Sequence, residues 1–236
     1  QLVVSYRRLD ELAEKLEKFS YRVLKEDCLD LPEKVFVNRN VELSDEQKKM
    51  YVTMKNAAIA EQDGKVMSSM SALTTLLRLH QITCGHMKTD DGETLPIKNN
   101  RLTALMDCLE ETDGKVIIWA NYREDIKNIV ESLKKAYGDA STVEYHGGVD
   151  PGVRQENIAL FQEKNGPTRY FVGNAQTGGY GITLTAANTV IYYSNNYDLE
   201  KRLQSEDRAH RIGQTGSVTY IDLVAEKTID ERIIKS

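Results

Sequence analysis

Five short runs rich in β-branched and aromatic residues constrain this chain more than any other feature: VIIWA (116–120), TVEYH (142–146), RYFVG (169–173), TVIYYS (189–194) and VTYIDLVA (218–225). Each is too short for a helix and nearly apolar throughout, which suits a strand buried on both faces. Helical stretches separate most of them, and apolar strands joined through helices form a parallel sheet covered on both sides. The expected fold after Asn100 is therefore α/β, opened by a helix at RLTALMDCLEE (101–111). Before Asn100 the apolar spacing is helical. Leu9, Leu12, Leu16 and Phe19 form one stripe, Met50, Met54, Ala57 and Ala58 another, and Met70, Leu73, Leu77 and Leu79 a third in a helix over about 67–83. Pro32 breaks any helix between the first two, and Val35, Val37 and Val41 predict an extended segment. The polar, turn-rich residues 84–100 predict a loop.

Helix starts are marked chemically. Ser44 with Gln47 and Thr228 with Glu231 have capping-box spacing, Asp150 precedes Pro151 at a first helical position, and Asp198 can cap the helix that follows it.

The 236 residues, 40% hydrophobic, suffice for one large domain or two small ones with a real core. No apolar run approaches the length of a membrane-spanning helix, and the first residues lack a signal-peptide pattern. The absence of an initial methionine suggests a piece of something longer. Cys28, Cys84 and Cys108 are odd in number and lack a C-x-x-C pair, which fits reduced thiols inside a cell: bacterial cytoplasm, or the nucleus if eukaryotic. With 31 basic and 36 acidic residues the net charge is −5, so contact with nucleic acid would depend on local geometry.

Three stretches carry chemistry. In QSEDRAHRIGQ (204–214), Gln204, Arg208 and Arg211 are spaced by four and three, so a continuous helix would project all three from one face. Two guanidiniums held together suit an anion whose charge grows on its outer oxygens, as in phosphoryl transfer, although two arginines alone also read as solvated charge. In NAQTGGYGITLTAAN (174–188), Gly178, Gly179 and Gly181 permit a backbone N–H nest for phosphate, or simply a tight turn. In YHGGVDPGVRQENIALF (145–161), a glycine pair, a capped helix start and Arg154 can hold one backbone phosphate, or form an ordinary βα turn. His80, Cys84 and His86 invite a metal reading, but spacings of four and two without a second pair match no common zinc pattern, and no metal site is expected.

Taken in this order, these motifs resemble the second RecA-like lobe, of the P-loop NTPase type, of the Swi/Snf-type ATPases within the superfamily-two helicase-like group. KVIIWANYRE (115–124) looks like their motif IV, 145–162 like motif IVa, 174–194 like motif V and QSEDRAHRIGQT like motif VI. Similarity extends to a brace segment at 219–236 and, upstream, to a mostly helical protrusion and linker over 1–95, leaving 96–236 as the lobe. The resemblance implies that Arg208 and Arg211 are arginine fingers for the γ-phosphate of ATP and that Gln204 orders the nucleotide and attacking water, with Gly179 and Gly181 also near the nucleotide. It implies that Asn121, His146, Gly147, Gly148, Arg154, Gln176, Thr177 and Gly178 grip the DNA phosphate backbone. Thr183 stands where relatives often have asparagine, and NNYDLEKRL (195–203) replaces a tryptophan-rich stretch, which is closer to phage, bacterial and annealing-type members.

The chain contains no G-x-x-x-x-G-K-[ST] loop and no D-E-x-H box, which in this family lie in the first lobe. ATP and its magnesium would be held mainly there, so this chain alone would be inactive. The competing readings are a stand-alone nucleic-acid-binding or regulatory module, and a small-molecule α/β enzyme that leaves motif VI unexplained.

Overall fold

The computed structural model describes residues 7–20, 31–64, 69–89, 91–178 and 181–235. It divides into two compact units, Gln1–Leu31 and Pro32–Ser236. The first unit contains α1 (Leu9–Glu17), with Leu9, Leu12 and Leu16 exposed along it.

The second unit runs β1 (Lys34–Asn40), α2 (Asp45–Gly64), α3 (Ser69–Cys84), β2 (His86–Lys88), β3 (Thr94–Pro96), α4 (Arg101–Glu110), β4 (Lys115–Trp119) and α5 (Arg123–Tyr137). It continues with β5 (Thr142–Tyr145), α6 (Pro151–Gln162), β6 (Tyr170–Gly173), α7 (Ala175–Gly178), β7 (Ala187–Tyr192), α8 (Leu199–Ala209), β8 (Val218–Val224) and α9 (Ile229–Lys235). Six strands form one sheet in the order β1-β8-β7-β4-β6-β5, every neighbouring pair parallel. The five runs expected to be strands are β4 to β8, and the extended segment around Val35 is β1, the edge strand beside β8. The residues before 95 therefore supply a strand as well as helices.

Alternation within β4 shows how the layers are filled. Val116 and Ile118 point into a core built with Leu105 and Leu109 of α4 and Ile126, Ile129 and Leu133 of α5. Ile117 and Trp119 point the other way, against Phe161 of α6, Ala209 of α8 and Ile182 and Leu184. This period-two split sends successive side chains to opposite faces, each covered by helices. A third cluster, Tyr51, Leu79, Ile82, Ile97, Ile229 and Ile233, joins α2, α3 and α9.

The caps form largely as their chemistry dictates. Ser44 and Gln47 satisfy one another's backbone N–H groups at 3.0 and 3.1 Å, and Asp150 accepts from the Gly152 N–H at 2.8 Å. Asp198 accepts from the Lys201 N–H at 3.1 Å. At α9, Thr228 accepts from the Asp230 N–H, whereas Glu231 reaches past the expected partner to the Lys227 N–H. The expected loop at 84–100 is instead an antiparallel hairpin, with His86 opposite Pro96 and Lys88 opposite Thr94. Strands of three residues, one of them fully exposed, carry no readable alternation, which is why the sequence pattern misses them.

Arg101, 1% exposed, fastens the helical cluster to the sheet. Its guanidinium donates to the carbonyls of Thr83 (3.2 Å), Tyr193 (2.6 Å) and Leu223 (2.9 Å) and pairs with the Asp230 carboxylate. Burial alone would lower the Arg101 pKa, but Asp230 holds it raised, and Asp230 lies below the usual carboxylate range through Arg101 and His80 despite its own burial. Removing one partner leaves the other charge buried, so Asp230→Ala should cost about 3–5 kcal/mol in denaturant unfolding. Burial also pushes the His80 imidazole down to about 4. The unfolded chain then binds more protons than the folded one between about pH 6.5 and 4. Stability is expected to be full above that window, to fall across it, and to fall further as Asp230 protonates. His80→Gln should remove on the order of 3 kcal/mol of this acid sensitivity, measured as unfolding free energy against pH.

Candidate functional site

Because the strands are parallel, the segments leaving β4, β5, β6 and β7 all emerge along one edge of the sheet. The segment after β4 leads to α5 on one face, while those after β6 and β7 lead to Ile182 and Leu184 and to α8 on the other. Such divergence opens a crevice at the carboxyl ends of the strands. Two groups of residues gather along this edge.

The first lines a groove of about 650 Å³ formed by Asn121, Arg123, Tyr145, His146, Gly147, Arg154, Asn174, Gln176 and Thr177. Six of the residues expected on DNA phosphates, Asn121, His146, Gly147, Arg154, Gln176 and Thr177, are thus brought together. The groove is held rigidly. The Asn121 N–H donates to Ser194 Oγ at 2.8 Å, and Ser194 Oγ donates to buried Asp125 at 3.2 Å. Asn174 Nδ2 donates to the Asn121 carbonyl at 2.9 Å while its Oδ1 receives the Gln176 N–H at 2.9 Å. Asn174 thereby links the β4 loop to α7. His146 Nδ1 accepts from the Gly148 N–H at 3.0 Å, so its proton sits on Nε2, which faces Glu144 at 3.2 Å. A Cβ at Gly148 would lie 3.0 Å from the His146 ring, a close approach that favours glycine there. Arg154 lies over the Tyr145 ring at 5.6 Å, and exposed Arg123 sits beside the glycine pair.

Gly178 ends α7. The nest expected of Gly178, Gly179 and Gly181 takes a different form at its start, since residues 175–178 make one helical turn. Gly179 lies outside the described residues, and Gly181 has φ +72°, a conformation that favours glycine.

The second group surrounds the end of α8. A single helical face bearing Gln204, Arg208 and Arg211 is not formed, because α8 stops at Ala209 and Arg211 lies in the turn beyond it. The last carbonyls have other partners: the Leu184 N–H donates to the Arg208 carbonyl at 2.9 Å. Gln214 Nε2 donates to the carbonyls of Ala187 (2.8 Å), Thr185 and Ala209 (both 3.3 Å). With these orphan acceptors satisfied, the helix has no need to continue. The two arginines nevertheless converge. Arg208 Nε donates to the Gln204 carbonyl at 2.9 Å and Nη1 to the Ile182 carbonyl at 3.3 Å, while Arg211 Nη1 reaches the Thr183 hydroxyl at 3.4 Å. Burial, then the charge of Arg211, lowers the Arg208 pKa. The Gln204 amide turns along the helix to Glu200 at 2.8 Å.

Sequence reasoning missed Arg123 and Asn174, both adjacent to residues it did identify, and it missed Arg202. The Arg202 guanidinium stacks 3.5 Å above the Tyr192 ring, bonds Asp222 Oδ2 at 2.9 Å, Glu206 at 2.9 Å and Asn195 at 2.8 Å, and so pins α8 to β7 and β8. The histidines that raised a metal reading have protein partners: His80 Nδ1 meets Tyr122 Oη at 2.8 Å, and His86 Nδ1 faces Asp125 at 3.2 Å. Burial pushes the Cys84 thiol up, and among the described residues no group of three or more His, Cys, Asp or Glu could hold a metal.

Residues 98–213 match the helicase conserved C-terminal domain. The chain is 29% identical over 221 residues to an uncharacterized ATP-dependent helicase of Mycoplasma genitalium, covering 92% of this chain and 21% of that protein. It thus spans about a fifth of that relative's length. Its fold superposes with a TM-score of 0.70 on the Sulfolobus solfataricus SWI2/SNF2 ATPase core in complex with dsDNA, at 28% identity over 96% of this chain and 49% of that one. The C-terminal part of the Fun30 ATPase domain shares the fold at a TM-score of 0.72 and 20% identity, covering 87% and 89% of the two chains. Motif order, a six-stranded parallel sheet and these likenesses together make residues 98–213 a helicase C-terminal domain, with the RecA-like fold of the C-terminal lobes of SWI2/SNF2 ATPases.

Proposed function

We propose that in the intact protein this lobe faces an N-terminal RecA-like lobe of the same polypeptide, with ATP between them, and forms half of a DNA-stimulated translocase. Residues 96–236 are the lobe proper, carrying the brace at 219–236, and residues up to 95 are the protrusion and linker, of which 34–40 return to the sheet. The observation that carries this reading is the convergence of Arg208 and Arg211 on residues 182–183, along the same sheet edge as the groove.

Water attacks the γ-phosphorus, the bond to the β–γ bridging oxygen breaks, and ADP and inorganic phosphate leave. Charge grows on the γ-phosphoryl oxygens during this exchange, and two positioned guanidiniums stabilise it. Gln204, one turn before Arg208, contributes by turning its amide from Glu200 toward the nucleotide and attacking water. Magnesium does not fit between the two fingers: guanidiniums are cationic donors, where a hard cation requires oxygen ligands. The metal and most of the ATP contacts belong to the other lobe, and the isolated chain is expected to be inactive.

The groove takes the phosphate backbone of one DNA strand through Asn121, His146, the Gly147–Gly148 turn, Arg154, and Gln176 to Gly178, with Arg123 as a second cation. Such contacts carry no base information, so binding is independent of sequence. Closure of the lobes on ATP and reopening after hydrolysis then moves the motor along its track.

In the full-length protein, Arg211→Ala should lower DNA-stimulated turnover by roughly 10³-fold or more while sparing DNA binding. Turnover near wild type would remove the finger role. Arg154→Ala should weaken binding to DNA of any sequence and reduce the log affinity against log salt slope by about 1. An unchanged slope would take Arg154 off the phosphates.

A further inference from the structure

Residues 32–34, which lead into β1, are fastened to the end of α8 and the start of β8. The Pro32 carbonyl accepts from His210 Nε2 at 2.7 Å, and the Glu33 carbonyl accepts from the Val218 N–H at 3.1 Å. Lys34 Nζ reaches Glu206 Oε2 at 3.0 Å and Asp207 Oδ1 at 3.7 Å.

His210 stands between the two arginines. It is the residue at which α8 ends, with its N–H still bonded to the Glu206 carbonyl at 3.1 Å and its ψ of 81° turning the chain away toward Arg211. A carbonyl only accepts, so Nε2 carries the imidazole proton. Nδ1 is then a bare acceptor, buried with no hydrogen-bond partner among the described residues. Leaving such an atom unsatisfied is unfavourable, a cost that an apolar side chain packed in the same place would not incur. What an imidazole does here that a leucine could not is hold the Pro32 carbonyl.

Resting on the finger reading above, we propose that His210 is a positioning residue that ties the incoming segment 32–34 to the arginine pair, so that movement of that segment displaces Arg211. Lys34 acts on the preceding turn of α8 through Glu206. The clamp thus spans residues 206–210, and the first finger lies within it.

The test uses the full-length protein and measures DNA-stimulated ATP turnover, the KM for ATP and DNA affinity for His210→Ala, His210→Gln, Lys34→Met and Arg211→Ala. Small misplacements of a reacting geometry can cost up to about 10²-fold. His210→Ala should therefore lower kcat roughly 10- to 100-fold with KM and DNA affinity within about twofold. Glutamine can donate to Pro32 from nearly the same position and should restore most of the rate, and Lys34→Met should show a smaller loss of the same kind. Wild-type turnover in His210→Ala beside an inactive Arg211→Ala would overturn the clamp and leave the fingers standing. Equal loss in folded alanine and glutamine variants would overturn it too. If His210→Ala does not fold, Lys34→Met decides: a lowered kcat at unchanged KM supports the clamp, and an unchanged kcat overturns it. Near-normal turnover in Arg211→Ala would remove the finger reading first, and the clamp with it.

Discussion

Every strand of this sheet runs in one direction, and most of the molecule's organisation follows from that. Parallel pairing requires a crossover between strands, crossovers place helices on both faces, and strands covered on both faces must be apolar throughout. The same pairing puts all the carboxyl ends on one edge, so segments far apart in sequence, around residues 121, 146, 174 and 183, become neighbours without any need to be close along the chain. The groove and the arginine pair are products of strand direction before they are products of their own residues.

A second constraint is the burial of Arg101. A guanidinium with 1% exposure is tolerable only when its donors are met, and here they are met by carbonyls from α3, from the end of β7 and from β8, and by a carboxylate from α9. Those partners belong to the helical cluster and to the sheet alike, so the arginine joins the two. The polar chain extends further. Thr83 donates to Asp230, His80 meets Tyr122, and Asp125 accepts from the Ser194 hydroxyl that holds the Asn121 N–H. The floor of the groove is therefore fixed from beneath by buried hydrogen bonds as well as by packing.

Strand positions were legible because burial on two faces leaves an unbroken apolar run, as at Val116 to Trp119, and caps were legible because Ser44, Asp150 and Asp198 are chemically specific. The hairpin at 86–96 was not, since its strands span only three residues each, too few for an alternation to be read. The single helical face for Gln204, Arg208 and Arg211 was an extrapolation of periodicity past the point where it holds. Spacing cannot reveal that Leu184 and Gln214, a neighbouring segment and a later residue, take the carbonyls that would have continued the helix. What survives is convergence by a different route: a helix and a turn, instead of one helix, deliver two guanidiniums to residues 182 and 183. Arg202, Arg123 and Asn174 stayed hidden because their roles depend on partners from other strands.

α8 carries arginines in two environments, and the contrast bears on what each can do. Arg202 and Arg208 are six positions apart, which on a helix points them in different directions. Arg202 turns inward, where Asp222, Glu206 and the Tyr192 face absorb its charge, and these partners raise its pKa against the cost of burial. A cation compensated in this way has little left to offer a ligand. Arg208 turns toward the strand ends, where burial and the neighbouring Arg211 charge act in the other direction and lower its pKa. A guanidinium whose charge its surroundings disfavour gains more from an arriving anion than one already held by two carboxylates, and a phosphoryl group whose charge increases during the reaction would gain more in the transition state than at rest. The setting of Arg208 thus accords with the finger role proposed for it, and the buried Arg202 network keeps the helix that bears it in place.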